Sequence, residues 1–151
     1  PRKARCFMPV EREQVALLLS KAAEDEYVLD KLVGDENAPD SVYGFHAQQA
    51  TEKLIKACLA GSDVDYPFTH RLVELIDLAR DSNIDLPKVF EDLRDMTPFA
   101  VEFRYGVVPP DVEDEPLDKN AVRIAIQQAR LWVERRNQKQ FYNPASTEPE
   151  P

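Results

Sequence analysis

The stretch from residue 45 to residue 59, F-H-A-Q-Q-A-T-E-K-L-I-K-A-C-L, restricts the fold more than any other part of the chain. It is rich in strong helix formers, and a helical wheel divides its apolar residues into two separate strips. The first strip contains Tyr43, Ala47, Ala50, Leu54, Ala57 and Cys58, and the second strip contains Phe45, Ile55 and Leu59. Because a helix that is apolar on two sides packs against two neighbours, this segment is predicted to lie inside a helical bundle.

A row of polar side chains runs between the two strips. This polar row contains His46, Gln49, Lys53 and Lys56, at spacings of i, i+3, i+7 and i+10. These spacings place the four side chains along one line of a helix. Since a helix packed on two sides does not need such a row, we predict that it lines a cleft or faces a partner. Glu52 and Lys56 also form an i, i+4 pair, which is common on solvated helix surfaces.

Hydrophobic periodicity predicts five helical segments and no strand. They are expected at about residues 9–33, 40–60, 69–80, 87–105 and 118–142. Their start signals are Pro9 in a first turn, Asp40 or Ser41 as N-cap, Thr69 as N-cap, Pro87 and Asp118 as N-cap. Short connections favour an all-α fold, an up-and-down antiparallel four-helix bundle with an additional short helix. We predict a single domain over residues 1–142 and a flexible C-terminal tail over residues 143–151.

The charge and the apolar runs limit the classes of function. The net charge of −9 argues against a broad nucleic-acid surface. Basic residues from Arg123 to Lys139 on the last segment still allow a local basic patch. No apolar run reaches the roughly 18 residues of a membrane span, and no signal-peptide block follows the basic residues 1–5. We therefore expect a cytoplasmic protein without a membrane segment, with Cys6 and Cys58 as reduced thiols.

Two polar residues stand out because each has a functional and a structural interpretation. Asp25 interrupts the apolar stripe of the first segment, where an unpaired charge would be costly to desolvate. Its candidate partners are Lys53 and Arg104; alternatively, the helix is rotated so that Asp25 lies at the edge of the core. His46 is either a base or RNA contact, or a histidine that hydrogen-bonds a loop carbonyl.

Further candidates lie near the third and fourth segments. His70 follows Thr69, where it either packs in a first helical turn or lies at the rim of the cleft. Arg104 offers a planar donor fork for phosphate or carboxylate, although an arginine near a helix C-terminus also suits the helix dipole. The predicted ligand-binding residues are His46, Gln49, Lys53, Lys56 and Arg104, with Asp25, His70, Glu102 and Tyr105 as supporting residues.

Several catalytic motifs are missing from the sequence. The four glycines are isolated, so no glycine-rich phosphate loop occurs. No Cys or His pair has zinc-ligand spacing, and the Glu-x-x-His signature of di-iron bundles is absent. Neither a Gly-x-Ser-x-Gly motif nor a Ser-His-Asp arrangement is visible. The sequence therefore predicts no metal and no cofactor.

Four segments together resemble the HEPN domain (higher eukaryotes and prokaryotes nucleotide-binding). They are the stretch at 45–59, T-H-R-L-V-E-L at 69–75, E-F-R-Y-G at 102–106 and A-x-x-x-A in the last helix. Stand-alone prokaryotic members show a similar F-H-x-Q-Q-A-x-E-K-x-x-K-A segment, a Thr-His pair opening the next helix and an Arg-Tyr-Pro-like end to the fourth. The resemblance covers about residues 10–134, and Gly106 stands where relatives usually carry proline.

The resemblance implies an all-α bundle that is usually a homodimer and is often encoded beside a minimal nucleotidyltransferase. Many members are ribonuclease toxins that depend on an arginine followed, after four to six residues, by a histidine. Here neither His46 nor His70 has an arginine at that distance upstream, and residues 109–111 after Arg104 include no histidine. The resemblance therefore implies a nucleotide- or RNA-binding component of a HEPN/minimal nucleotidyltransferase, toxin–antitoxin-like system, with no catalytic residue assigned.

Two alternative functions stay open at this point. One is a divergent metal-independent ribonuclease toxin that uses His46 or His70 with Arg104 for proton transfer. The other is a dimeric structural or interaction module. The second apolar strip favours that module, because a helix that is apolar on two sides can contribute to an interface.

Overall fold

A computed structural model of the chain describes residues 9–94 and 116–141. These residues form five α-helices and no strand, which confirms the predicted all-α fold. The helices are α1 (Pro9–Leu32), α2 (Asp40–Gly61), α3 (Leu72–Asp81), α4 (Val89–Arg94) and α5 (Lys119–Phe141). The end of the predicted fourth segment and the predicted tail lie outside the described residues.

Helix α2 lies at the centre of the bundle. It contacts each of the other four helices, most extensively α1 and then α5. Every member of its two apolar strips is buried except Phe45, which is half-buried. The helix is therefore enclosed from more than one side, as the two strips predicted, and two of the three residues of the second strip, Ile55 and Leu59, pack inside the chain.

Helix α3 begins later than the sequence predicted. Thr69 is not its N-cap; its hydroxyl accepts a hydrogen bond from the backbone N–H of Arg71 at 3.1 Å. Arg71 occupies the N-cap position without a side-chain capping bond, and the helix begins at Leu72. His70 therefore lies in the extended segment before α3 and not in its first turn. The backbone explains the difference, since Arg71 has extended dihedral angles (φ −91°, ψ 113°) and the residues after Thr69 do not yet form a helical turn.

The starts of α5 and α2 are held by aspartates in different ways. Asp118 caps α5 as expected, because its carboxylate accepts the backbone N–H of Ala121 at 3.0 Å. Asp40 is instead the first residue of α2, and Pro39 occupies the N-cap position. The Asp40 carboxylate accepts the backbone N–H of Leu117 at 2.9 Å and so connects the start of α2 to the segment before α5.

Ion pairs connect α1 to α5. The buried Glu26 accepts hydrogen bonds from Arg130 at 2.6 Å and from Arg123 at 3.2 Å. Arg123 also binds both carboxylate oxygens of Asp30, and these hydrogen bonds lower the pKa of Asp30. Since both arginines are paired with α1 carboxylates, neither contributes to the local basic patch that the sequence allowed.

A close approach sets the distance between α2 and α5. Gly61, the last residue of α2, faces Asn137, whose amide donates to the backbone carbonyl of Ala57 at 3.4 Å. A Cβ added at Gly61 would stand 2.3 Å from Asn137 Oδ1, closer than two unbonded atoms can lie. A side chain at Gly61 would therefore force the buried amide of Asn137 to move. Across residues 9–94 and 116–141, no helix has the length and hydropathy needed to cross a membrane.

Candidate functional site

The polar row lies where α1 and the segment before α3 approach α2. His46, Gln49, Lys53 and Lys56 are all half-buried, and each forms a hydrogen bond with a neighbouring side chain. Two of the predicted supporting residues, Asp25 and His70, contact the row directly or through Glu52. The predicted Glu102, Arg104 and Tyr105 lie outside the described residues.

The first part of the site is centred on Asp25 of α1. Its carboxylate accepts a hydrogen bond from Lys53 Nζ at 2.5 Å and lies 2.9 Å from His46 Nδ1. Lys53, one of the two partners predicted for Asp25, therefore forms the ion pair with it. The Nδ1 atom of His46 thus contacts a carboxylate and not the loop carbonyl that the structural interpretation offered. Asp25 is only slightly exposed, so both partners lie at the edge of the core.

The second part is centred on Glu52, whose side chain is only 5% exposed. Its carboxylate accepts a hydrogen bond from Lys56 Nζ at 2.8 Å and lies 3.2 Å from His70 Nδ1. Gln48 Nε2 donates to the same carboxylate at 3.3 Å. The Glu52–Lys56 pair is therefore enclosed and is not the solvated surface pair that its spacing suggested. A buried carboxylate needs such donors to compensate its lost hydration.

Two glutamine side chains join the two parts. Lys53 Nζ is 3.4 Å from Gln49 Oε1, and Gln49 Nε2 donates to Gln48 Oε1 at 2.7 Å. Gln48 Nε2 also donates to the backbone carbonyl of His70 at 2.7 Å. A continuous set of hydrogen bonds therefore runs from one imidazole to the other. We call this set the α2 network; its members are Asp25, His46, Gln48, Gln49, Glu52, Lys53, Lys56 and His70.

Each end of the α2 network is a partly exposed imidazole. The side chains of His46 and His70 are 25% and 39% exposed. Each one packs against a phenylalanine ring nearly at right angles, with ring centroids 5.3 Å apart for Phe45–His46 and 5.5 Å apart for Phe68–His70. Each Nδ1 contacts a carboxylate, and within residues 9–94 and 116–141 neither Nε2 has a hydrogen-bond partner, so each can bond a ligand or water.

The charges of the α2 network balance internally. Its two lysines are matched by the carboxylates of Asp25 and Glu52, so the network is neutral while both imidazoles are neutral. The lysines are therefore not the free point charges for phosphate that the sequence suggested. An anionic ligand would instead meet the two imidazoles, which each add a positive charge when they are protonated.

Three concavities of the described surface lie elsewhere. One of 220 Å³ is lined by acidic and polar residues that include Glu11, Asp63 and Tyr66. A more apolar groove of 370 Å³ lies between α1 and α5, and one of 480 Å³ adjoins the α1–α2 connection. The polar row lines none of the three, so none of them is the cleft that the sequence predicted along this row. Within the described ranges, no group of three or more His, Cys, Asp or Glu side chains is arranged to hold a metal ion.

Sequence reasoning missed two members of the network, Gln48 and Glu52. Both are buried, because the segment that carries His70 covers this line of α2. The spacing from Gln48 through Glu52 to Lys56 was a usable signal, since three polar side chains at i, i+4 and i+8 form a second polar line beside the polar row. The burial of that line depends on a tertiary contact that spacing alone does not specify.

Comparison with known proteins identifies the family. No curated protein and no solved structure gives a significant match to the chain. A family model for the HEPN domain matches residues 15–138, which include the whole polar row, Asp25 and His70. This match covers most of the sequence, and the all-α architecture agrees with it. The chain belongs to the HEPN domain family.

Proposed function

We propose that this chain is a HEPN binding module that recognises a nucleotide or a nucleotide-bearing ligand such as RNA. The α2 network carries the proposal, because it holds two imidazoles in fixed orientations with one nitrogen of each available. The module would act in the cytoplasm beside a minimal nucleotidyltransferase, in a toxin–antitoxin-like system. His46, Gln49, Lys53, Lys56 and Arg104 are the proposed ligand-binding residues, supported by Asp25, His70, Glu102 and Tyr105.

The orientation of the imidazoles is what suits them to binding. A side chain that is already ordered loses less conformational entropy when a ligand binds. The contacts of His46 with Asp25 and of His70 with Glu52 supply that order. Each free Nε2 can accept a hydrogen bond from a base or hydroxyl group, and it can donate to a phosphate oxygen when the ring is protonated.

The sequence favours binding over catalysis. The only histidines are His46 and His70, and neither follows an arginine at the spacing used by ribonuclease members of the family. The paired state of Lys53 and Lys56 further argues against a strongly cationic site for a scissile phosphate. These observations support a module that holds a ligand without cleaving it.

Calorimetry with the purified chain tests the binding proposal. ATP, GTP and a short single-stranded RNA are titrated into the wild-type chain and into His46→Ala and His70→Ala. Lys88→Ala is the matched control, since Lys88 is an exposed cation directly before α4 and lies outside the α2 network. We expect binding heat that either histidine substitution weakens and that Lys88→Ala leaves unchanged. The absence of heat for every ligand with the wild-type chain would refute the proposal.

We also propose that the chain forms a homodimer. Ile55 and Leu59 of the second apolar strip are buried within one chain and are not available as an interface, which leaves only the half-buried Phe45 of that strip. Support comes instead from Ile124 and Leu131, two exposed apolar residues seven positions apart on one side of α5. Sedimentation velocity of the wild-type chain and of an Ile124→Glu variant tests this idea. A wild-type chain that stays monomeric at high concentration would refute it.

A ribonuclease is the second candidate function, and one observation favours it. Each imidazole contacts a largely buried carboxylate, at 2.9 Å for His46 and at 3.2 Å for His70. Such contacts orient a histidine for proton transfer, which metal-independent RNA cleavage requires. Expression of the chain should then arrest growth, and His46→Ala or His70→Ala should relieve the arrest. Intact RNA after prolonged incubation with the purified chain would exclude this function.

A further inference from the structure

We infer that Phe68, together with His70, forms a stacking platform for a nucleobase. The inference rests on the proposed function and adds to it the place where the base of a nucleotide or single-stranded RNA binds. The platform belongs to the segment between α2 and α3, at the His70 end of the α2 network.

The exposure of Phe68 is the first observation. Its side chain is 96% exposed, more than any other large apolar residue in the described part of the chain. Burying a phenyl ring against an apolar surface is favourable by about 2 kcal/mol, and here the ring gains almost none of this within its own chain. A flat aromatic partner would bury one of its faces and recover part of that free energy.

The ring nevertheless has a defined neighbour. Its centroid lies 5.5 Å from that of the His70 imidazole, at an interplanar angle of 73°. Aromatic pairs prefer such edge-to-face contacts, and the imidazole is in turn oriented by Glu52. The edge contact orders the phenyl ring and leaves a face of it open to solvent. Phe68 is therefore partly preorganised for stacking.

Polar groups beside the ring suit the rest of a nucleotide. The free Nε2 of His70 can bond to a base edge or a phosphate oxygen. Arg71 comes next in the chain, and its exposed guanidinium forms a surface ion pair with Glu74. Surface pairs of this kind are weak, so a phosphate group can compete for the guanidinium.

A base fits this surface better than a protein partner does. Protein interfaces are built around a buried apolar centre of several residues. The neighbours of Phe68 in the sequence include Asp65, Thr69 and Arg71, and Pro67 is the one other exposed apolar side chain of the segment. Base stacking needs only one aromatic face.

Fluorescence anisotropy with labelled oligoadenylate and oligouridylate of about ten nucleotides tests the platform. Phe68→Ala should weaken oligoadenylate binding about 5- to 100-fold, and Phe68→Trp should retain it. Leu17→Ala is the matched control, because Leu17 is another exposed apolar residue, on α1. It should change the affinity less than about twofold. Because Phe68 is exposed, its substitution should leave the melting temperature unchanged, which separates a binding effect from unfolding.

The outcomes separate this inference from the proposed function. If the wild-type chain binds oligonucleotide and Phe68→Ala binds equally well, the platform is wrong and the binding module stands. If the wild-type chain binds neither oligonucleotide nor ATP, both fall. If Phe68→Ala changes the sedimentation coefficient and leaves oligonucleotide affinity unchanged, Phe68 is a protein contact and the platform is again wrong. A loss confined to Phe68→Ala, with Leu17→Ala unaffected, supports it.

Discussion

The enclosed Glu52–Lys56 pair allows a quantitative test of the α2 network. Glu52→Gln preserves the shape of the side chain and removes its negative charge. Lys56 Nζ, 2.8 Å away, then loses its carboxylate, and His70 and Gln48 lose a charged acceptor. Glutamine has only one side-chain acceptor oxygen, so its NH2 group must point at one or more of these three donors.

The expected cost follows from burial. Removing one partner of a buried ion pair typically costs about 3–5 kcal/mol, since the remaining charge is left without compensation. Lys56 is 11% exposed, so its ammonium group can recover some hydration by moving outward. We therefore expect Glu52→Gln to lower the free energy of unfolding by about 3 kcal/mol, at the lower end of this range.

Urea unfolding followed by far-UV circular dichroism measures this change, with the m-value as a check on two-state behaviour. The matched control is Asp92→Asn, because Lys88 and Asp92 have the same i, i+4 spacing and the same 2.8 Å distance but lie exposed on the surface. The control should cost at most about 0.5 kcal/mol. Equal effects of the two substitutions would refute the view that the α2 network is an enclosed, stabilising set of contacts.

Three further outcomes are expected. Gly61→Ala should destabilise the chain by about 1–3 kcal/mol because its Cβ meets Asn137. In urea unfolding of the double variant, Asn137→Ala should recover most of that loss, and strictly additive effects would contradict the close approach. Burial raises the pKa of the Cys58 thiol to about 11. In a Cys6→Ser background, a disulfide reagent should therefore modify Cys58 only as fast as the bundle opens, and immediate modification would contradict its burial. Burial also raises the pKa of Tyr43 from 10.0 to about 12, so the folded chain holds this proton more tightly than the unfolded chain does. The stability that Tyr43 contributes should be complete below pH 10 and be lost as the pH rises toward 12, and Tyr43→Phe should flatten that part of a pH series of unfolding measurements.

Much of the fold was predictable because hydrophobic spacing is a local property of the chain. The two apolar strips of α2 placed it between neighbours, and α1 begins at Pro9 as expected. Prediction failed at the start of α3, where Thr69 bonds the backbone of Arg71 in a turn. The first turn of α5 shows the same uncertainty, because Ala121 is exposed although its neighbour Val122 is buried. A helical pattern fixes a buried face and leaves the first turn ambiguous by a residue or more.

The candidate site was less predictable because its contacts join distant segments. Spacing alone placed the polar row on one line of α2 and offered Lys53 as a partner for Asp25, which the structure contains. It could not show that the segment carrying His70 covers Gln48 and Glu52. Lys56 is enclosed as well, with a side chain that is only 11% exposed, although its spacing suggested a surface cation. Pairings between elements depend on which faces meet, and a single helix does not carry that information.

The central position of α2 limits where members of such a lineage can diverge. Most of its side chains are either packed against another helix or hydrogen-bonded in the α2 network, so a replacement there disturbs two neighbours at once. The connection over residues 62–71 is under weaker constraint, because several of its side chains face solvent. Substitutions should therefore be tolerated more readily in that connection than in the helix at the centre.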